Sequence, residues 1–142
     1  MSEKVLLVDD EEDFLDVMRE RLSSRGIEVA TSASAEEALD RIGKELFDAV
    51  ILDLQMPAMD GLEALKRMKE KRPELQVILL TGHATVEKGV EAIKLGAMDL
   101  IEKPADLEAL GEKIRKAKQK KMLIVEKANE EKVMDALKRY GV

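Results

Sequence analysis

The 142-residue chain has room for one compact domain and a short appendage. Hydrophobic residues make up 45% of it and aromatics only 2%, so its core is aliphatic, and flavin or stacked-base sites are disfavoured. With no cysteine, disulfides, thiolate metal sites and cysteine nucleophiles are excluded; the net charge of −6 sits on an acidic body, which disfavours direct nucleic-acid binding.

The charge is unevenly spread, because residues 113–142 carry ten Lys/Arg against four Asp/Glu. No apolar run approaches the ~20 residues needed to cross a bilayer. Met1 to Lys4 lead straight into a strand-like segment without a signal-peptide plan, so the expectation is a soluble cytoplasmic protein with no membrane partner.

In chain order, Val5–Val8 reads as a first strand and ends in Asp9-Asp10. Phe14, Leu15, Met18 and Leu22 then line a helix that Gly26 closes. Glu28–Thr31 is a second strand, followed by a helix capped by Ser34 and lined by Ala35, Ala38, Leu39 and Ile42. Ala49–Leu52 is a third strand ending in Asp53, and Asp60 caps a helix marked by Leu62, Leu65 and Met68. Val77–Leu80 ends in Thr81 and precedes a helix marked by Val86, Val90 and Ile93, with Gly96 at its end. Asp99–Ile101 ends in Lys103-Pro104, and Leu107, Leu110, Ile114 and Ala117 begin a fifth helix.

Several strands are apolar throughout, as parallel strands covered on both faces require. Five successive strand–helix units predict an α/β fold with an open, doubly wound, five-stranded parallel sheet and right-handed crossovers. Ligands of such sheets bind outside the carboxyl ends of the strands. That rim collects Asp9, Asp10, Asp53, Thr81 and Lys103, whereas the second strand ends in Thr31-Ser32 and adds nothing obvious.

Three neighbouring carboxylates repel one another, and a hard divalent cation resolves the conflict; Mg2+ is the usual choice beside phosphate. Asp10 is the candidate for direct ligation and Asp9 for a water-mediated or orienting role. The Gln55 backbone carbonyl is a further candidate ligand. A carboxylate can also attack phosphorus to give an acyl phosphate, with Lys103 and Thr81 stabilising the transferring oxygens.

The stretches Val5-Leu-Leu-Val-Asp-Asp-Glu-Glu12, Ala49-Val-Ile-Leu-Asp-Leu-Gln-Met-Pro57, Asp60-Gly61, Leu79-Leu-Thr-Gly-His83 and Gly96-Ala-Met-Asp-Leu-Ile-Glu-Lys-Pro104 resemble the receiver domains of two-component response regulators. The resemblance covers roughly residues 4–118, and Thr81 to Glu87 looks most like the nitrogen-regulator branch. It implies a flavodoxin-like (βα)5 fold with strand order 2-1-3-4-5. It makes Asp53 the phosphoacceptor, Asp9, Asp10 and Asp53 the Mg2+ site, Thr81 the sensor of the phosphoryl group and Lys103 its bridge. A cis Lys103–Pro104 bond is implied as well. The partners implied are a histidine kinase or phosphotransfer protein and an unidentified downstream protein.

Three positions depart from the family pattern. Leu100 stands where a switch aromatic is usual, Ala105 replaces a phenylalanine that often follows Lys-Pro, and Ala58 replaces a frequent glycine. Gly89 falls inside the fourth helix, as either a soft point or a tolerated surface glycine. His83, the single histidine, is read as a loop residue two positions beyond Thr81.

The division expected is a receiver domain over 1–120 and a helical C-terminal extension over 121–142. Residues 113–121 hold six basic groups and no acid, and Met122-Leu-Ile-Val125 follows. The expectation is a lengthened fifth helix and then a second helix, packed on the body or pairing with another chain as a homodimer. The leading function is a phospho-dependent switch of a protein–protein surface, not an enzyme. One rival is the receiver portion of a larger sigma-54-type transcription activator. The other is a Mg2+-dependent aspartyl-phosphate phosphohydrolase, which usually needs an Asp-x-Asp after the first strand and a cap.

Overall fold

A computed structural model describes residues 2–57 and 59–141; the departure at Ala58 lies outside them. Five strands, β1 (Lys4–Val8), β2 (Glu28–Ser32), β3 (Ala49–Asp53), β4 (Gln76–Thr81) and β5 (Asp99–Glu102), alternate with five helices. The helices are α1 (Glu12–Ser23), α2 (Ala35–Lys44), α3 (Gly61–Lys71), α4 (Val86–Lys94) and α5 (Leu107–Arg139). All pairings are parallel and the order is β2-β1-β3-β4-β5, as the resemblance implied. Each strand runs one or two residues beyond its expected limits.

The two-residue period of the strands builds two cores. Leu6 and Val8, Val50 and Leu52, and Val77 and Leu79 pack with α2, α3 and Ala92 on one face. Val5 and Leu7, Ala49 and Ile51, and Ile78 and Leu80 pack with α1 and α5 on the other. Every residue of β3 and β4 is buried, which is why those segments read as unbroken apolar runs.

Local chemistry sets the helix ends. Ser34 accepts from the Glu37 N–H, Asp60 from the Leu62 N–H, and Thr85 from the Lys88 N–H. Gly26 and Gly96 close α1 and α4 at φ of 84° and 99°, a region other residues avoid. Gly61 has a different reason: a Cβ there would lie 2.6 Å from the Leu54 carbonyl oxygen. The loop after β3 therefore folds back directly onto the first residue of α3.

The structure gives one face a direction that spacing left open, and it corrects one expectation. In α4 the stripe Val86, Val90 and Ile93 faces outward, at 85%, 50% and 54% exposure, while the small Ala92 makes the buried contact. Helical spacing identifies a face without saying which way it points. The tail is also not a separate second helix, because α5 continues unbroken from Leu107 to Arg139, about 50 Å at 1.5 Å per residue. Between Ala117 and Arg139 there is neither Gly nor Pro to interrupt it, and strong helix formers dominate. The last buried residue of α5 is Ala117, and Met122 to Val125 are exposed.

Two glycine substitutions are expected to act in opposite directions. Gly61→Ala forces a methyl into backbone and should lower stability by about 1–3 kcal/mol. At Gly89 the added Cβ meets only the Leu100 side chain at 3.7 Å, so Gly89→Ala should raise stability by about 1 kcal/mol. Urea unfolding of both variants checks this, and equal effects would contradict the packing described for Gly61.

Candidate functional site

Strand register brings the candidate residues to one rim. Val8 stands opposite Leu52, so Asp9 and Asp53 leave the sheet at the same level. Asp53 pairs with Leu80, and Thr81 pairs with Glu102 immediately before Lys103. The Lys103 N–H donates to the Thr81 carbonyl at 2.7 Å, which anchors the β5–α5 loop to β4. The Lys103–Pro104 peptide is cis.

Asp9 is 1% exposed and fully engaged. One carboxylate oxygen accepts the Glu11 N–H at 2.9 Å, and the other accepts the Lys103 ammonium at 2.8 Å. Asp53 is also buried; it accepts the Gln55 N–H at 3.2 Å and lies 3.9 Å from the Lys103 ammonium. Asp10 is exposed, yet one oxygen from each of Asp9, Asp10 and Asp53 falls within 4.8 Å of the others.

Burial raises the Asp53 pKa above the usual aspartate range. The Gln55 N–H and the Lys103 charge oppose that rise, and the Asp9 and Asp10 carboxylates add to it. Burial works to lower the Lys103 pKa, but the hydrogen bond it donates to Asp9 and the charges of Asp9, Asp53 and Glu11 outweigh it and hold the ammonium above the ordinary lysine value. Three oxygen ligands with excess negative charge and no soft donor fit a hard cation such as Mg2+.

The buried Thr81 hydroxyl accepts from the His83 N–H at 3.2 Å and donates to the His83 carbonyl at 3.3 Å. His83 lies exposed in the β4–α4 loop. The same loop is held to β5 by the Ala84 N–H, which donates to Glu102 at 2.9 Å. Leu100 packs at the edge of the core beneath α4, beside Gly89. Ala105 packs at the edge of the core shared with α5.

Sequence reasoning missed three contributors. Phe14, read as helix lining, places its ring centroid 4.3 Å from the Lys103 ammonium. Glu11 adds its charge near the same ammonium. Ser32 is buried beside the site, its carbonyl accepting the Asp9 N–H, and its hydroxyl has no partner among the described residues. The signal for Phe14 was its place in the first turn after the acidic loop; nothing local marks Ser32.

The family model for the response regulator receiver domain matches residues 5–115. The chain is 38% identical over 122 residues to the C4-dicarboxylate transport transcriptional regulatory protein DctD of Rhizobium meliloti, which covers 86% of this chain and 26% of that protein. Thus the chain spans about a quarter of the length of that curated relative. A receiver domain protein from Clostridium thermocellum superposes with a TM-score of 0.81 at 33% identity, covering 86% of this chain and 98% of the other. The beryllofluoride-activated NtrC4 receiver domain dimer gives a TM-score of 0.78 at 35% identity, over 83% and 98% of the two chains.

Because burial and two neighbouring acids raise the Asp53 pKa on folding, its ionised form costs stability above the usual value near 3.9. Asp53→Asn is therefore expected to raise the urea midpoint at neutral pH. The gain should shrink as pH falls through the raised folded-state pKa and vanish below the usual value, where the wild-type carboxyl is protonated in both states. An unchanged or lower midpoint at neutral pH would contradict the charge crowding.

Proposed function

The chain belongs to the response regulator receiver domain family, and we propose that within it Asp53 accepts a phosphoryl group and so switches a protein–protein surface. One observation carries this reading: a buried carboxylate at the rim lies 3.9 Å from a lysine ammonium and shares its pocket with two further acids. An Asp53 oxygen attacks phosphorus, the bond from phosphorus to the donor breaks, and the donor leaves with the bonding pair. The donor is a phosphohistidine of a kinase or phosphotransfer protein, or a small acyl phosphate. Asp9, Asp10, Asp53 and the Gln55 carbonyl would hold Mg2+, which supplies positive charge against the transferring oxygens.

The chain's own groups do the rest. Lys103 already faces Asp53 and needs to give up little of its Asp9 contact to reach a phosphoryl oxygen. To give its hydroxyl proton to a phosphoryl oxygen, Thr81 must surrender its long hydrogen bond to the His83 carbonyl, a neutral contact weak enough to yield to a charged acceptor. That exchange loosens the β4–α4 loop near Thr81, while the Ala84–Glu102 contact ties it to β5. Leu100 cannot rotate as an aromatic would, so the loop and the outward α4 stripe carry the readout.

The family is regulatory, and the reading as a non-enzymatic switch follows it. The Asp9-Asp10 pattern after β1 does not favour a phosphohydrolase. The length of DctD supports a second reading, in which these residues act as the receiver portion of a larger transcriptional regulator. Among the described residues no helix is long and apolar enough to cross a membrane, in keeping with a cytoplasmic site of action.

Residues 1–120 are proposed as the switch and 121–142 as its extension. Met122, Val125 and Val133 on the exposed part of α5 form, with Leu46, an open apolar groove of about 1030 Å³. A second copy of the same helix is the occupant this stripe suits, since Met122, Val125, Val133 and Met134 recur along one face, with Asn129 between them, and the NtrC4 receiver is itself a dimer.

Incubation with acetyl phosphate and Mg2+ should add one phosphate by intact-mass measurement. Asp53→Asn and a chelator should each abolish the increase, and Lys103→Ala should slow it roughly a hundredfold. Undiminished labelling of Asp53→Asn would sink the assignment. Light scattering should give a dimer that Val125→Glu converts to monomer; a monomer before and after beryllofluoride would remove the dimer.

A further inference from the structure

Phe14 is the third residue of α1, and its ring centroid lies 4.3 Å from the Lys103 ammonium. The same nitrogen is 2.8 Å from Asp9 and 3.9 Å from Asp53. Building on the reading that Lys103 meets a phosphoryl group arriving on Asp53, we propose that Phe14 is a positioning residue for that reaction, its ring face holding the Lys103 ammonium against the acids.

The separation falls well inside the ~6 Å within which a ring face attracts a cation. Lys103 is 19% exposed, so its ammonium has lost much of its water and the ring supplies part of the replacement. A lysine is a point charge on a flexible four-carbon stem and needs restraint from outside itself. Asp9 takes one donor directly, and Asp53 at 3.9 Å lies beyond hydrogen-bond length, so the carboxylates alone leave the head loosely directed. The ring and the Asp9 carboxylate come from one segment, five residues apart, and make two walls of a socket. The lysine enters that socket from 94 residues away.

Phe14 also packs at the edge of the core shared by α1 and α5, a role that any aliphatic residue of similar size would fill. Only a ring adds an electrostatic pull on the ammonium. In the reaction, an Asp53 oxygen attacks the phosphorus of acetyl phosphate, the bond to acetate breaks and acetate departs with the pair. Lys103 keeps its protons throughout.

The test measures the labelling rate of the full chain with acetyl phosphate and Mg2+ by intact mass. Phe14→Leu should slow it about two- to thirtyfold, the span expected from a cation–ring contact, and Phe14→Tyr should restore most of the rate. Mono-, di- and trifluorophenylalanine at position 14 drain the ring face at nearly constant shape. They should lower the rate stepwise while the protein stays folded, with the unfolding midpoint falling no further than loss of the ring–ammonium contact accounts for, which also decides the matter if Phe14→Leu folds poorly. In a Lys103→Ala background the loss from Phe14→Leu should vanish. A flat fluorine series, or an equal loss without Lys103, would reduce Phe14 to packing and overturn the inference. Asp53→Asn runs beside them: continued labelling there overturns the underlying site assignment, whereas abolished labelling with a flat Phe14 series overturns the ring's role alone.

Discussion

Negative charge crowded onto one edge of a hydrophobic sheet is the constraint around which the molecule is arranged. One oxygen from each of Asp9, Asp10 and Asp53 lies within 4.8 Å of the others, and two of the three side chains are buried. At an effective dielectric near 20, an ion pair at 3.9 Å is worth about 4 kcal/mol before desolvation, comparable to the repulsion between two acids at this spacing. Lys103 attracts Asp53 in this way and Asp9 at a shorter 2.8 Å, yet one positive charge cannot neutralise three acids. The backbone N–H groups of Glu11 and Gln55 help, but they are dipoles rather than charges. The site is left with an appetite for further positive charge, which suits it to a cation and a phosphoryl group arriving together.

Such a site persists because the sheet beneath it is over-determined. β3 and β4 are buried residue by residue, with alternate side chains committed to opposite cores. A one-residue slip would exchange the two sets and pull Asp53 off the rim. The close approach of Gly61 to Leu54 fixes the loop that follows Asp53, and the Lys103–Thr81 backbone bond fixes the loop that carries the lysine. Rigid strands hold the acids, while Thr81 ends β4 and Lys103 follows β5, each at the start of a loop tied back to the sheet.

What could be read from the residues divides along the same line. The unbroken apolar runs showed which strands are central, and residues following them marked the rim, because in a parallel sheet chain order and strand polarity determine both. Ser34 and Asp60 were legible as caps because their partners are two or three residues away. The outward stripe of α4 was not legible, since spacing defines a face without its direction. Phe14 was read only as helix lining because its second partner lies in a distant loop. Met122 to Val125 suggested a break after α5, yet four apolar residues in a row cost an exposed helix little in backbone terms. What they cost is exposed surface, a matter for association rather than local structure.

α5 relates the two ends of the molecule. It starts four residues after Lys103 at the acidic rim, runs along the sheet through Leu110, Ile114 and Ala117, and emerges near Leu46 and Glu74, which precede β3 and β4 at the opposite rim. Lys121 reaches Asp48 at 3.6 Å where the helix leaves the body. A continuous helix cannot absorb a displacement at one end without moving or bending, and α5 contains no proline or mid-helix break that would favour a kink. A charge change at Asp53 can therefore bias the exposed stripe only if the α5 packing against β3 and β4 has two arrangements of similar energy. The small side chain of Ala117 at that contact limits the buried surface lost in a shift. Any coupling between the acidic rim and the exposed part of α5 thus depends on how tightly three apolar turns of one helix grip the sheet.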